Sequence, residues 1–306
     1  MKDMNRRTFL EQAAVVSMGV ATMPSFANAF DRNMHKEQPI HKALKYGMIG
    51  GDGTMLEKFK IAKSCGFDGV ELDSPADWDL DEALAAKSAT GLEIPGVVLS
   101  SHWNKPFNHS DSQVRKEASK ALETALHDCK ALGGTTVLVV PAVVNGSMGY
   151  SEAYNRSIEE IARHVPTAED LGVSIAFENV WNNFLLSPME AARYVDEFNS
   201  KHIGWYFDIG NIVNYGYPDQ WIRTLGKRIL RLDVKDFSRQ KRNDEGLWKG
   251  FGVKIGDGDA EWDKVCDALK EIHYSGWATA EVGGGGAERL REIASRMERV
   301  FKPMNS

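Results

Sequence analysis

Four short apolar runs in the second half of the chain each end on an acid. Ala176-Phe177-Glu178-Asn179, Tyr206-Phe207-Asp208, Leu232-Asp233-Val234-Lys235-Asp236 and Thr279-Ala280-Glu281 carry Glu178, Asp208, Asp233 and Glu281 at the tails of successive β-type segments. If those segments are parallel neighbours of one sheet, the four carboxylates meet on one rim. Like charges held that close repel and resist being stripped of water, so a shared divalent cation is the simplest relief. Ion pairing with Lys235, Arg231 and Arg239 alone, without a metal, is the competing arrangement. An all-oxygen donor set favours Mn2+ or Mg2+, and Zn2+ less in the absence of histidine or thiolate ligands.

Further chemistry-bearing residues accompany these acids. Lys235 lies two residues beyond Asp233, within reach of a substrate oxygen or a developing oxyanion. His102, in Ser100-Ser101-His102-Trp103, follows the third apolar run and could act as an acid/base or contact a hydroxyl. Trp103 and Trp181 are candidates for stacking on a sugar ring, whereas Trp205 sits inside a β-type run and reads as core. The glycine run Gly283 to Gly286 could cradle a phosphate through backbone amides or simply allow close packing, and close packing around an unphosphorylated ligand is the favoured reading. Cys65, Cys129 and Cys266 are widely spaced in helical stretches and read as buried structural thiols.

The elements that would position these residues alternate regularly. Strands are expected at Lys45–Ile49, Gly69–Leu72, Ile94–Ser100, Thr136–Val140, Val173–Glu178, Gly204–Phe207, Ile229–Val234 and Trp277–Val282, separated by helical patterns. Thr54-Met55-Leu56-Glu57 and Ser187-Pro188-Met189-Glu190 have the form of capping boxes that start helices. Gly66, Gly133, Gly172 and Gly276 stand where helices should stop before the next strand. Eight βα units predict an α/β fold of the (β/α)8 TIM barrel type, a single domain over residues 44–302, with its chemistry at the C-terminal strand ends. An open nucleotide-binding sheet is disfavoured because Gly50-Gly51-Asp52-Gly53 lacks the spacing of a dinucleotide turn. The charged stretch Arg239 to Glu245 reads as a loop after strand seven, on the side where a lid would sit.

These strand-end motifs resemble the xylose-isomerase-like barrel superfamily, which includes ketose 3-epimerases, sugar-phosphate epimerases and inosose dehydratase-like proteins. The resemblance implies a metal held by Glu, Asp, His and Glu of the last four strands, falling here on Glu178, Asp208, Asp233 and Glu281. Asp233 stands where that family's His-x-Lys-Asp motif begins, so histidine is replaced by an acid. Asn211 stands where family members often carry a substrate-contacting histidine, and is taken as substrate-binding. The resemblance also implies an isomerase or epimerase acting on a keto-sugar through an enediolate, with Glu178 and Glu281 exchanging the proton. A lyase or hydratase acting on 3-keto-glycosides or 3-keto-glycals at the same site is the alternative, and an exported, non-catalytic sugar-binding barrel is a further one.

The bulk composition agrees with a folded enzyme of this size. Of 306 residues 42% are hydrophobic and 26% charged, and the net charge of −6 disfavours a nucleic-acid partner. Residues 1–29 carry Asn5-Arg6-Arg7-Thr8-Phe9-Leu10, an apolar stretch from Ala13 to Met23, and Ala27-Asn28-Ala29, and resemble a twin-arginine export signal, followed by a polar lead-in over residues 30–43. A periplasmic location is expected, with no membrane span after signal removal, a small sugar or glycoside as partner, and a possible homo-oligomer.

Overall fold

The computed structural model describes residues 40–305. The signal segment and most of the lead-in lie outside the described residues. Eight parallel strands close on themselves: β1 (His41–Lys45), β2 (Gly69–Ser74), β3 (Gly96–Leu99), β4 (Thr136–Val139), β5 (Ser174–Glu178), β6 (Ile203–Asp208), β7 (Ile229–Val234) and β8 (Trp277–Ala280). Each pairs with its successor and β8 pairs with β1, which makes the expected (β/α)8 TIM barrel.

The strands form where β-branched and apolar runs can be covered on both faces. Thr136-Val137-Leu138-Val139 is buried throughout, as expected for a parallel strand between a helix layer and the barrel interior. The helices between them turn one apolar stripe inward: along Ser112–Ala131, Ala118, Ala121, Leu122, Ala125, Leu126 and Cys129 are buried at helical spacing. The large core lies between strands and helices, and Leu138, Ala176 and Tyr206 form a small separate cluster.

Local start and stop signals act largely as read. Thr54 and Glu57 form a reciprocal capping box on helix Met55–Ser64. Ser187 caps Pro188–Asp196 by accepting from the Glu190 amide, but the Glu190 carboxylate receives the Leu186 amide and the Tyr150 hydroxyl instead of closing the second half of the box. Gly66, Gly133, Gly172 and Gly276 all adopt positive φ.

Three expectations are corrected. The first strand runs over His41–Lys45, so its start falls within the expected lead-in, and Tyr46–Met48 is a 3-10 turn. Ile49, whose β-branched side chain suggested a strand there, makes only an isolated bridge to Gly285. The expected loop at 239–245 is a helix, Arg239–Glu245, capped by Ser238, and it leads into a 3-10 segment at Leu247–Phe251. Cys65 caps a helix from just beyond its last turn, while Cys129 and Cys266 lie within helices; all three are buried free thiols.

Candidate metal centre and substrate cavity

The four strand-end acids converge because of register. Asp208 of β6 is the direct partner of Asp233 in β7, and Glu178 of β5 is the partner of Tyr206, two residues before Asp208 on the same face. Glu281 follows the last residue of β8 and donates its amide to the Val234 carbonyl at 3.1 Å, which keeps it in line with β7. One carboxylate oxygen from each of Glu178, Asp208, Asp233 and Glu281 lies within 4.8 Å of the others. Glu178, Asp208 and Asp233 are buried and Glu281 is half-buried.

Hydrogen bonds hold these acids in place. The Asn179 side-chain oxygen accepts the Asp208 amide at 3.0 Å and the Trp205 indole N–H at 2.9 Å, while its amide donates to the Asp208 carbonyl at 2.7 Å. Trp205 is therefore core, as read, and also ties β5 to β6. Asp208 caps the helix Ile209–Val213 by accepting the Asn211 amide at 2.8 Å. The Asn211 side chain donates to the Asn179 carbonyl at 2.9 Å and reaches Glu178 Oε1 at 3.4 Å, so it orients an acid as well as lining the cavity.

Two ammonium groups enter the cluster. Lys235 Nζ lies 2.7 Å from Asp208 Oδ2 and 2.5 Å from Glu281 Oε2. Its stem passes over Gly210, where a Cβ would come within 2.5 Å of Lys235 Cγ. Lys45 Nζ of β1 lies 3.0 Å from Asp233 Oδ1 and 2.8 Å from Glu71 Oε2. Lys45 and Glu71 were not singled out in the sequence: Lys45 stood at the start of the expected first strand, whereas β1 in fact ends on it, and only ring closure brings it beside β8 and near β7. Neither Asp233 oxygen accepts a hydrogen bond, although both are buried. With Glu71 counted, five carboxylates share this network with two lysines and the nearby Arg231.

The electrostatics follow from this excess of acids. Burial pushes the Glu178 carboxyl well above the ordinary range, and the charges of Glu281, Asp233 and Asp208 push the same way against Lys235. Asp208 rises to about 6, mainly by burial, with Lys235 opposing and Glu281 reinforcing. Asp233 is raised well above its usual value by burial, against Lys45 and together with Glu281 and Glu71. For Glu281, burial is outweighed by Lys235 and Lys45, which hold it below the usual range. Burial would lower Lys235, but Asp208, Glu281 and Glu178 keep it above an ordinary lysine.

The residues present fit a divalent cation. A buried carboxylate at Asp233 that accepts no hydrogen bond and has one ion-pair partner, four converging oxygen donors and a lysine ammonium already drawn between Asp208 and Glu281 all mark a place that demands positive charge.

Beside the acids lies a cavity of about 640 Å3, within the usual size range of ligand pockets. Its walls include His102, Trp103, Trp181, Trp248, Phe251 and Lys235. Trp181 donates its indole N–H to the Asn211 carbonyl at 3.0 Å and packs on Trp248 and Phe251 with ring centroids 4.9 and 5.0 Å apart. The 3-10 segment after β7 thus supplies a wall that the sequence reading did not name. His102 Nδ1 accepts the Val140 amide at 3.3 Å, and burial lowers its pKa to about 4. This makes it a neutral imidazole whose other nitrogen donates, and so a hydroxyl contact more than an acid/base.

Asp236, one residue beyond Lys235, is engaged away from the centre. Its buried carboxylate accepts the amides of Phe237, Gly256, Gly258 and Ala260 and the Trp262 indole N–H, gathering the loop that precedes helix Trp262–Glu271. Within the glycine run Gly284 and Gly285 serve close packing: a Cβ on Gly284 would lie 2.0 Å from the Met48 carbonyl oxygen, and Gly285 exchanges backbone hydrogen bonds with Met48 and Gly50 across the β8–β1 seam.

A model of the xylose isomerase-like TIM barrel family matches residues 59–300. The chain belongs to that family. Among its relatives, this xylose isomerase-like barrel is 26% identical over 245 residues to L-ribulose-5-phosphate 3-epimerase UlaE of Escherichia coli O1:K1 / APEC, a match covering 76% of this chain and 84% of that protein. Its fold is shared with D-psicose 3-epimerase, solved in the presence of D-fructose, at a TM-score of 0.72 and 16% identity over 87% of this chain and all of the other (100%). It is likewise shared with 3-keto-D-glucoside 4-epimerase YcjR from E. coli, at a TM-score of 0.72 and 16% identity over 86% and 99% of the two chains. The sequence relative is a sugar-phosphate epimerase; the structural likenesses speak to the fold.

Proposed function

We propose that this barrel is a divalent-metal-dependent isomerase or epimerase of a keto-sugar. The observation that carries the reading is the convergence of Glu178, Asp208, Asp233 and Glu281 beside a cavity that also holds Lys235, His102 and aromatic walls. The kinship with a 3-epimerase supports it. A divalent ion, Mn2+ or Mg2+ by preference for the all-oxygen donor set, would supply the charge that holds neighbouring carbonyl and hydroxyl oxygens of the sugar and steadies the enediolate.

The protein's own groups carry the proton. Glu178 and Glu281 come from strands three apart around the ring and both line the cavity, and in this reading they would face a bound sugar from different sides. Across an inverting carbon one of them would take the proton and the other return it. Lys235 steadies developing negative charge on oxygen, His102 donates to a hydroxyl, and Asn211 orients Glu178. Trp103 and Trp181 offer faces for the ring. Arg289, the cavity's other lining cation, is engaged with Glu292 at 2.8 Å and the Gly283 carbonyl at 3.2 Å, which favours an unphosphorylated substrate.

A second reading rests on the breadth of the cavity. The wall of Trp181, Trp248 and Phe251, three rings in mutual contact, suits a glycoside with a flat substituent. The same proton abstraction would then expel the group at the β-carbon, as a lyase does.

Solvent-deuterium incorporation, followed by mass spectrometry and NMR with Mn2+ and a panel of free ketoses and 3-keto-glycosides, tests both. Exchange beside the carbonyl, lost in Glu281→Gln, is expected. Retention of the substituent marks an epimerase and its release a lyase. Absence of exchange across the panel despite bound metal would sink both in favour of a binding protein. Export by the twin-arginine route belongs to the same proposal: replacing Arg6 and Arg7 with lysines should leave the protein in the cytoplasm on cell fractionation, and unchanged periplasmic recovery would refute it.

A further inference from the structure

Asp233 is buried and its two oxygens accept no hydrogen bond, yet it lies among three other acids and near Glu71. A carboxylate so placed needs a counter-charge of its own, and Lys45 is the group that provides it. Lys45 Nζ sits 3.0 Å from Asp233 Oδ1 and 2.8 Å from Glu71 Oε2, and 4.8 Å from the centre of the Tyr206 ring. The far side of Glu71 is fixed by the Tyr206 hydroxyl, which donates to Glu71 Oε1 at 2.6 Å and lies 3.0 Å from the Thr279 hydroxyl. The ammonium is therefore clamped between two acids and an aromatic face and has no room to drift, whereas Lys235 reaches Asp208 and Glu281 from the cavity wall.

We propose that Lys45 is a positioning residue for the acidic centre: by holding and neutralising Asp233, it keeps a fourth anionic side chain in the ligand set, and so sets the centre's affinity for and choice among divalent ions. The inference rests on the metal-site reading above. Without Lys45, Asp233 loses its ion-pair partner in a low-dielectric interior, while Glu71 keeps the Tyr206 hydroxyl and the nearby Arg231, and Asp233 turns out of the ligand set. With Lys45 kept and Asp233 made neutral, a fixed positive charge is left pointing at the ion's place. Asp233 and Lys45 should thus behave as one unit, to be changed together or not at all.

The test is calorimetric titration of Mn2+ and Zn2+ into the metal-stripped full chain, for the wild type, Lys45→Met, Asp233→His and the double variant, with circular dichroism to verify folding. Each single change should weaken Mn2+ binding by about tenfold or more, and the double variant should regain most of that loss while shifting its preference toward Zn2+, as a nitrogen ligand dictates. If Lys45→Met does not fold, Lys45→Gln replaces it, keeping a donor to Glu71 but no charge. Wild-type affinity in the Lys45 variants, or losses that simply multiply in the double variant, would overturn the role of Lys45 while leaving the metal centre standing. A wild type that binds neither ion would overturn the metal-site reading and this inference together.

Discussion

At the residue scale, the candidate centre is a set of acids whose tolerance of one another has to be explained side chain by side chain. Lys235 and Lys45 divide the task, the first touching Asp208 and Glu281 and the second Asp233 and Glu71. His102 shows how context decides a role that residue type leaves open. A histidine at the third strand end could be acid, base or donor, but acceptance of the Val140 amide at Nδ1 and burial leave it neutral. Its imidazole should accordingly titrate near pH 4 in histidine-resolved NMR, and His102→Phe should raise KM for the sugar more than it lowers kcat. A titration midpoint near the ordinary histidine value of roughly 6.5 would contradict this.

At the element scale, the segment after β7 does two tasks on either side of the charged stretch Arg239–Glu245. Asp236 anchors the returning chain through five donors, four backbone amides and one indole. Asp236→Asn confronts those donors with an amide and should destabilise the protein by about 3 kcal/mol, lowering Tm by roughly 5 °C in a domain of this size; a Tm within a degree of wild type would contradict the anchoring role. Trp248, 70% exposed, instead forms the outer cavity wall on Trp181. Trp248→Ala should leave Tm nearly unchanged while raising KM by about tenfold, the loss of one aromatic contact. An unchanged KM with a lowered Tm would assign this tryptophan to stability instead. The acids Glu178, Asp208 and Asp233 were legible because a parallel strand sends alternate residues to one face and its C-terminal end to one rim. The helix at Arg239–Glu245 was not, since a charged run of that length carries no apolar stripe and its helicity depends on the Ser238 cap and on Arg239 and Arg242 reaching the carbonyls of Val213, Gly216 and Asn214.

At the scale of the whole molecule, the acidic centre couples stability to pH and to metal. In the metal-stripped protein Glu178, Asp208 and Asp233 hold their protons more firmly than in the unfolded chain, Asp208 up to about 6. Folding then binds extra protons, so stability should fall as pH rises from about 4 through and above 6. His102, lowered to about 4, acts in the opposite sense between about pH 4 and 6.5 and offsets part of that fall, whereas Glu281 and Glu71, held below the usual range, oppose it only below about pH 4.5, as do the surface pairs of Asp257 and Glu271. Thermal melts should show the metal-stripped protein losing stability between pH 5 and 7.5, and added Mn2+ stabilising more at pH 7.5 than at pH 5, because the ion competes with those protons. Equal stabilisation at both values would argue against a cation bound by these acids.

What the sequence by itself determined about this protein is what repeats locally: eight βα units, most of their caps, and the four acids at strand ends, each readable from periodicity within a few residues. The kinship with sugar epimerases came with those same motifs. Only the tertiary structure decided which charges neutralise which. Lys45 and Asp233 are far apart in the chain and meet because the ring closes β8 on β1, the glycine run packs without side chains against Met48 and Gly50 at that seam, and register sets Asp208 against Asp233. Electrostatic partnership depends on distance through space and on exclusion of water, and neither is encoded in the spacing of residues along one strand.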